Sequence, residues 1–163
     1  DTMNSTFDSF VHKISSPFRF GFFLATKLPA AFFVGLKLKQ INEQSCTILV
    51  KHSWFSKNPF KSVYFAAEAM AAELSTGLLA IGHIHNKSSK VSMLVIKMEA
   101  QFSKKGTGKL YFTCADGIAF QNTIAEAIRT REGQTLVSKS IGTNEKGETV
   151  AEFNFTWSFK AKS

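Results

Sequence analysis

One carboxylate stands out by its neighbours. From Asn58 to Gly77 the chain reads Asn-Pro-Phe-Lys-Ser-Val-Tyr-Phe-Ala-Ala-Glu-Ala-Met-Ala-Ala-Glu-Leu-Ser-Thr-Gly. Projected at helical spacing, Ser62, Ala66, Ala69, Glu73, Gly77 and Ala80 fall on one narrow stripe of small residues around a single acid. Small residues let another backbone approach, so Glu73 is expected in a tight, partly desolvated seam. An ionised carboxylate is expensive there. It is either a functional group whose basicity the seam tunes, or a structural acid hydrogen-bonded to the loop at Asn58 or across an interface. Glu68 projects well away from it and is expected to be a surface or interface charge.

Other chemistry-bearing residues are weaker candidates. His83-Ile-His85 would put two imidazoles on one face of an extended segment, which suits a metal, but no third ligand lies at a convincing spacing. No metal and no cofactor are expected. Gly106 and Gly108 flank a turn with no helix after it, so they do not form a phosphate loop. The alternating Phe and Trp residues of the last segment read as core or pocket wall and not as a base-stacking platform, so no nucleic-acid partner is expected.

The elements that must position these groups follow from periodicity. Residues 1–29 read as one or two short Phe-rich helices broken at Pro17 and Pro29. Two strands follow, alternating at Val34, Leu36 and Leu38 and at Cys46, Ile48 and Val50, joined by an Asn42–Ser45 turn. A long apolar helix is expected over about residues 60–81. A strand over 91–103 should carry Leu94, Ile96, Met98, Ala100 and Phe102 on one face. Then come a strand over 109–114 and a short helix from Thr123, with Glu126 at capping-box spacing. Strands over 134–142 and 149–160 finish the chain. One apolar helix among strands needs a sheet to cover it, so the expected class is α+β: an antiparallel sheet wrapped around one long central helix, in a single domain over 1–163.

The chain is 163 residues long with a net charge of +8, long enough for a core without disulfides or metals. A basic surface suits nucleic acid, an anionic membrane surface or a phosphorylated small molecule. Cys46 and Cys114 lie in apolar runs and are expected as buried free thiols, in keeping with a cytoplasmic setting. No apolar run approaches the length of a membrane span.

The layout and the Asn58–Gly77 segment together resemble the hotdog-fold acyl-CoA thioesterase superfamily, in particular its phenylacetic-acid-pathway branch. The resemblance covers most of the chain after Pro29, with residues 1–29 as a helical N-terminal extension. It implies a homodimer, which can pair further into a tetramer, with sites at the subunit interface. It implies acyl-CoA or another acyl thioester as substrate, coenzyme A entering only as part of that substrate. Asn58 takes the position of that branch's loop asparagine and Glu73 that of its acid. Tyr64-Phe65-Ala66 stands where the branch has His-Gly-Gly. By this resemblance the Phe65 amide is the oxyanion donor, Glu73 the general base or nucleophile and Asn58 a positioning group. Ser62, Tyr64, Ala66 and Thr76 would border the acyl group. The alternative is a non-catalytic hotdog module that holds an acyl chain or acyl-CoA, since Phe65 and Gly77 differ from the branch's usual residues.

Overall fold

The computed structural model describes residues 5–162. Three helices come first: α1 (Ser5–Ile14), α2 (Pro17–Lys27) and α3 (Pro29–Val34). Pro17 and Pro29 open α2 and α3 at the first helical position, where the missing N–H costs nothing. Ser16 caps α2 by accepting from Arg19 N at 3.1 Å. Gly35 ends α3 at a φ of 85°. The first expected strand therefore loses Val34 to α3.

Strands β1 (Lys37–Ile41) and β2 (Cys46–Lys51) form the expected hairpin, with Asn42 Oδ1 accepting from Gln44 N and Ser45 N, both at 2.9 Å. The central helix α4 runs Phe65–Ile84. It is followed by β3 (Val91–Phe102), β4 (Lys109–Cys114), α5 (Gly117–Thr130), β5 (Gln134–Thr143) and β6 (Thr149–Ala161). The six strands make one antiparallel sheet in the order β1-β2-β4-β5-β6-β3. α4 lies across β2, β4, β5 and β6, with α5 beside it. This is the hotdog arrangement.

Leu78 and Leu79 of α4 meet Ile48, Val50, Phe112, Phe153 and Phe159 in a core that water does not reach. Each such side chain contributes roughly 1.5–3 kcal/mol. The Ser75 and Ser140 hydroxyls, both buried, bond at 2.7 Å and fix α4 against β5. α4 is long and apolar enough by length and composition to cross a membrane, but 67% of its most apolar 18-residue stretch is buried inside the protein, as the core helix of this sheet.

Four further features depart from the sequence reading. α4 begins at Phe65 and not near residue 60, because the preceding loop is held by other bonds; Ser62 therefore lies outside the helical stripe. α5 begins at Gly117, so Thr123 is no cap: its hydroxyl donates to Ala119 O at 2.8 Å, and Glu126 pairs with Arg129. β3 carries a bulge between Val95 and Lys97. The bulge changes the parity of the strand, so Met93 and Val95 pair with Phe159 and Trp157 on the α4 side, as do Met98, Ala100 and Phe102 further on. Leu94 thus faces away from the helix, against the single-face expectation. Finally, His83 sits in the last turn of α4, buried against Phe7, with its Nε2 3.0 Å from Glu43 O. His85 caps that helix, so the two imidazoles do not share an extended face. No group of three metal-ligating side chains occurs among the described residues. Cys46 and Cys114 are buried free thiols, opposite each other on β2 and β4.

Candidate functional site

The loop before α4 is built around Asn58. Its Oδ1 accepts from Phe60 N at 2.9 Å, from Ser62 N at 3.2 Å and from Ser62 Oγ at 3.0 Å, and its amide nitrogen is 2.9 Å from Ser62 Oγ. Lys61 adopts a φ of 59° within this turn. Val63 N then donates to Gly106 O and Tyr64 N to Ser56 O, at 2.8 and 2.7 Å. The loop is thereby held on both sides and delivers Tyr64 as the N-cap. Tyr64 has no side-chain cap bond; its carbonyl takes the amides of Ala67 and Glu68. The amides of Phe65 and Ala66, at the first two helical positions, have no acceptor within the helix and carry the positive end of its dipole. The Phe65 ring stands half-exposed, edge-on to Tyr64 at 5.0 Å and to Phe102 at 6.4 Å.

Glu73 lies two turns further on, at the junction of two apolar cavities of about 300 and 260 Å³. Both are lined by Lys27, Leu28, Glu73 and Leu74. One extends along Pro29, Ala31 and Met70; the other runs past Phe23 and Gly77 to Met93 and Trp157. The groove therefore lies between the N-terminal helices and α4. The Glu73 carboxylate is half-buried, forms no hydrogen bond or ion pair with the described residues, and has its pKa raised by burial. Thr76, expected at the substrate, is fully buried: its hydroxyl donates to Glu73 O at 2.8 Å and accepts from the Trp157 indole N–H at 2.9 Å. It holds the tryptophan that walls the groove. At Gly77 a side chain would begin 3.3 Å from Glu73 Oε1 and 3.6 Å from the Trp157 ring, so glycine keeps that passage open.

Glu68 corrects the surface expectation. It is only 3% exposed, beneath the turn at Gly106, and burial pushes its carboxyl up to about 7. Its place in the first turn of α4, near the free amides, offsets part of that cost.

Asn58, Ser62, Tyr64, Phe65 and Ala66 are thus gathered at the start of α4, while Glu73 and Thr76 sit apart from them. Along the helix, Phe65 and Glu73 are separated by about 12 Å at 1.5 Å per residue. Within one chain they cannot meet at one carbonyl group. The sequence reading missed Lys27, Leu28, Met93 and Trp157 as neighbours of Glu73. The available signal was the apolar spacing of the Pro17–Ala31 segment, which needed a partner surface.

No curated protein sequence matches the chain. Solved structures do. A probable thioesterase of unknown function from Pseudomonas aeruginosa, PA5026, aligns with a TM-score of 0.75 at 19% identity, over 90% of this chain and 97% of that one. Thioesterase HI1161 from Haemophilus influenzae aligns with a TM-score of 0.64 at 11% identity, over 90% and 91%. The thioesterase SAV0944 from Staphylococcus aureus aligns with a TM-score of 0.60 at 15% identity, over 78% and 95%. That enzyme has been solved with a glutamine replaced and with a glutamate fifteen positions later replaced. At these identities the likeness is one of fold. A family pattern described as a domain of unknown function, DUF4442, matches residues 19–159. This hotdog chain belongs to the DUF4442 family.

Proposed function

We propose that the protein hydrolyses acyl-CoA thioesters at a site shared by two copies of the chain. The observation that carries this is Glu73: a half-buried carboxylate with no hydrogen bond or ion pair among the described residues, at the base of an apolar groove. Its separation from the α4 N-terminus favours a composite site, with Glu73 from one subunit facing the Phe65 and Ala66 amides of the other. The edge strand β3, with Ile96, Met98 and Phe102 half-exposed, supplies an unpaired surface suited to such a dimer. Asn58 and Glu73 are fifteen residues apart, the same spacing as the glutamine and glutamate replaced in the Staphylococcus aureus thioesterase.

In this mechanism Glu73 accepts a proton from water as the water oxygen attacks the thioester carbonyl carbon. The developing oxyanion is held by the Phe65 amide at the positive end of α4. Collapse of the tetrahedral intermediate breaks the C–S bond, and the proton on Glu73 passes to the departing thiolate. Asn58 and Ser62 act by fixing the loop that aims those amides. Tyr64 and Ala66 border the acyl group, and Thr76 orients Trp157. No metal or cofactor is required.

A second reading rests on the Phe65 ring, which stands beside the proposed donor: the same groove would hold an acyl chain or acyl-CoA without turnover. Purified protein tested on short, long and aromatic acyl-CoAs, beside Glu73→Ala, separates the two. Turnover abolished by the substitution supports hydrolysis, and binding without turnover supports the module. Turnover unaffected by Glu73→Ala removes Glu73 from the mechanism, and an active monomer removes the composite site.

A further inference from the structure

The outer side of the N-terminal layer is aromatic where a solvated surface would be charged. α2 buries Phe20 and Leu24 but turns Phe18 and Phe22 outward, Phe18 being 84% exposed. These two share a helical face with Gly21, where a methyl group would come within 4.0 Å of the Phe32 ring. Phe32 packs edge-on against Phe33 at 5.6 Å, and Phe33 meets Phe55 of the next loop at 6.0 Å. Beside Phe55 stands Trp54, 74% exposed, with the Lys57 ammonium 3.7 Å above its ring. These ring contacts run from α3 to the 52–64 loop, and α2, with Phe18 and Phe22, packs beside α3. Six exposed aromatic rings on these neighbouring elements exceed the scattered apolar residues of an ordinary surface.

The charge lies on the same part of the chain. Between Asp8 and Glu68 the sequence holds eight lysines and arginines and one acid, Glu43. This stretch carries +7 of the net +8. Arg19 and Lys57 sit on the elements that carry the rings. Two copies joined face to face by this patch would bring like-charged rims together. Aromatic rings rimmed by lysine and arginine match a different partner: the headgroup region of an anionic bilayer, where rings enter the boundary and cations meet lipid phosphates. We infer that the outer face of α2, α3 and the Trp54–Phe55 loop docks this protein on an anionic phospholipid surface, lying on it without spanning it. The inference stands whether or not the thioesterase reading holds.

The full chain would be sedimented with vesicles of phosphatidylcholine alone and with vesicles containing about a third phosphatidylglycerol. Expected are binding to the anionic vesicles only, release of the protein by about 0.5 M salt, and a blue shift of tryptophan emission that is absent in Trp54→Phe. Phe22→Ser and Phe33→Ser should each weaken partitioning about tenfold or more at unchanged melting temperature. Lys57→Glu, at an exposed site, should weaken it too, should either serine variant fold poorly. The proposal is overturned if the chain ignores anionic vesicles, or if the folded variants bind as well as the parent. It is equally overturned if the serine variants lower the oligomeric state in the ultracentrifuge, because a second copy would then cover the patch.

Discussion

The Glu68 carboxylate lies against the α-carbon of Gly106, in the space that a methyl group there would need. The Leu110 methyl would be 2.6 Å from such a group. An acid buried at the helix start and a glycine in the turn that covers it are therefore one packing unit.

Stability should fall as this acid ionises. Folding raises the Glu68 pKa from 4.5 to about 7. The folded state binds the proton more tightly, so the associated stability is complete below about pH 4.5 and is lost as pH rises through 7. The loss should approach about 3 kcal/mol by the linkage relation. Urea unfolding between pH 5 and 8 would measure it, and Glu68→Gln should flatten that slope and be the more stable protein at pH 8.

Gly106→Ala should cost about 1–3 kcal/mol by overpacking. In a Glu68→Ala background part of that cost should vanish, giving a coupling energy of about 1 kcal/mol in a double-mutant cycle. Additive effects would show that the two residues do not share their space.

For the groove, Gly77 is the sensitive position. Gly77→Ala gains up to about 1 kcal/mol of helix propensity but squeezes Glu73 Oε1, so its melting temperature should change little. Gly77→Val should block the passage to Trp157 and weaken binding of long acyl thioesters about tenfold or more, sparing short ones. Affinity for a non-hydrolysable acyl-CoA analogue is the readout.

Hydrolysis should depend on pH through Glu73. Its pKa is raised by burial and the ionised form is the base, so kcat/KM should climb through an apparent pKa above 4.5 and then level. Glu73→Gln should lower kcat/KM by about a hundredfold or more on the plateau and remove the pH dependence, so that the two proteins converge at low pH.

Ile96→Lys combined with Met98→Lys should leave the fold intact, since both side chains are half-exposed on the edge strand. If the site needs two chains, sedimentation should show monomers and activity should fall with them.

Much of the fold was legible because strict alternation in β6 and the alanine-rich run of α4 admit few other uses. The boundaries that failed are those decided by tertiary bonds. Asn58 Oδ1 and Gly106 O claim the loop before Phe65, and no periodicity shows that. The bulge at β3 is invisible for the same reason: its parity change follows from pairing with β6. Glu73 was visible as a lone acid among small residues. Its groove was not, because Phe23, Lys27 and Leu28 come from helices remote in sequence. Glu68 was misplaced because the Gly106 turn that covers it lies almost forty residues downstream.

No strand comes from residues 5–36, yet α2 and α3 form one side of the groove whose other side is α4. The carboxylate and the cavity wall opposite it are thus encoded in separate segments. Under the proposed function, substitutions at Phe23, Leu28 or Ala31 can retune which acyl group fits while Glu73 and its helix stay unchanged. Selectivity can then drift between relatives faster than chemistry does.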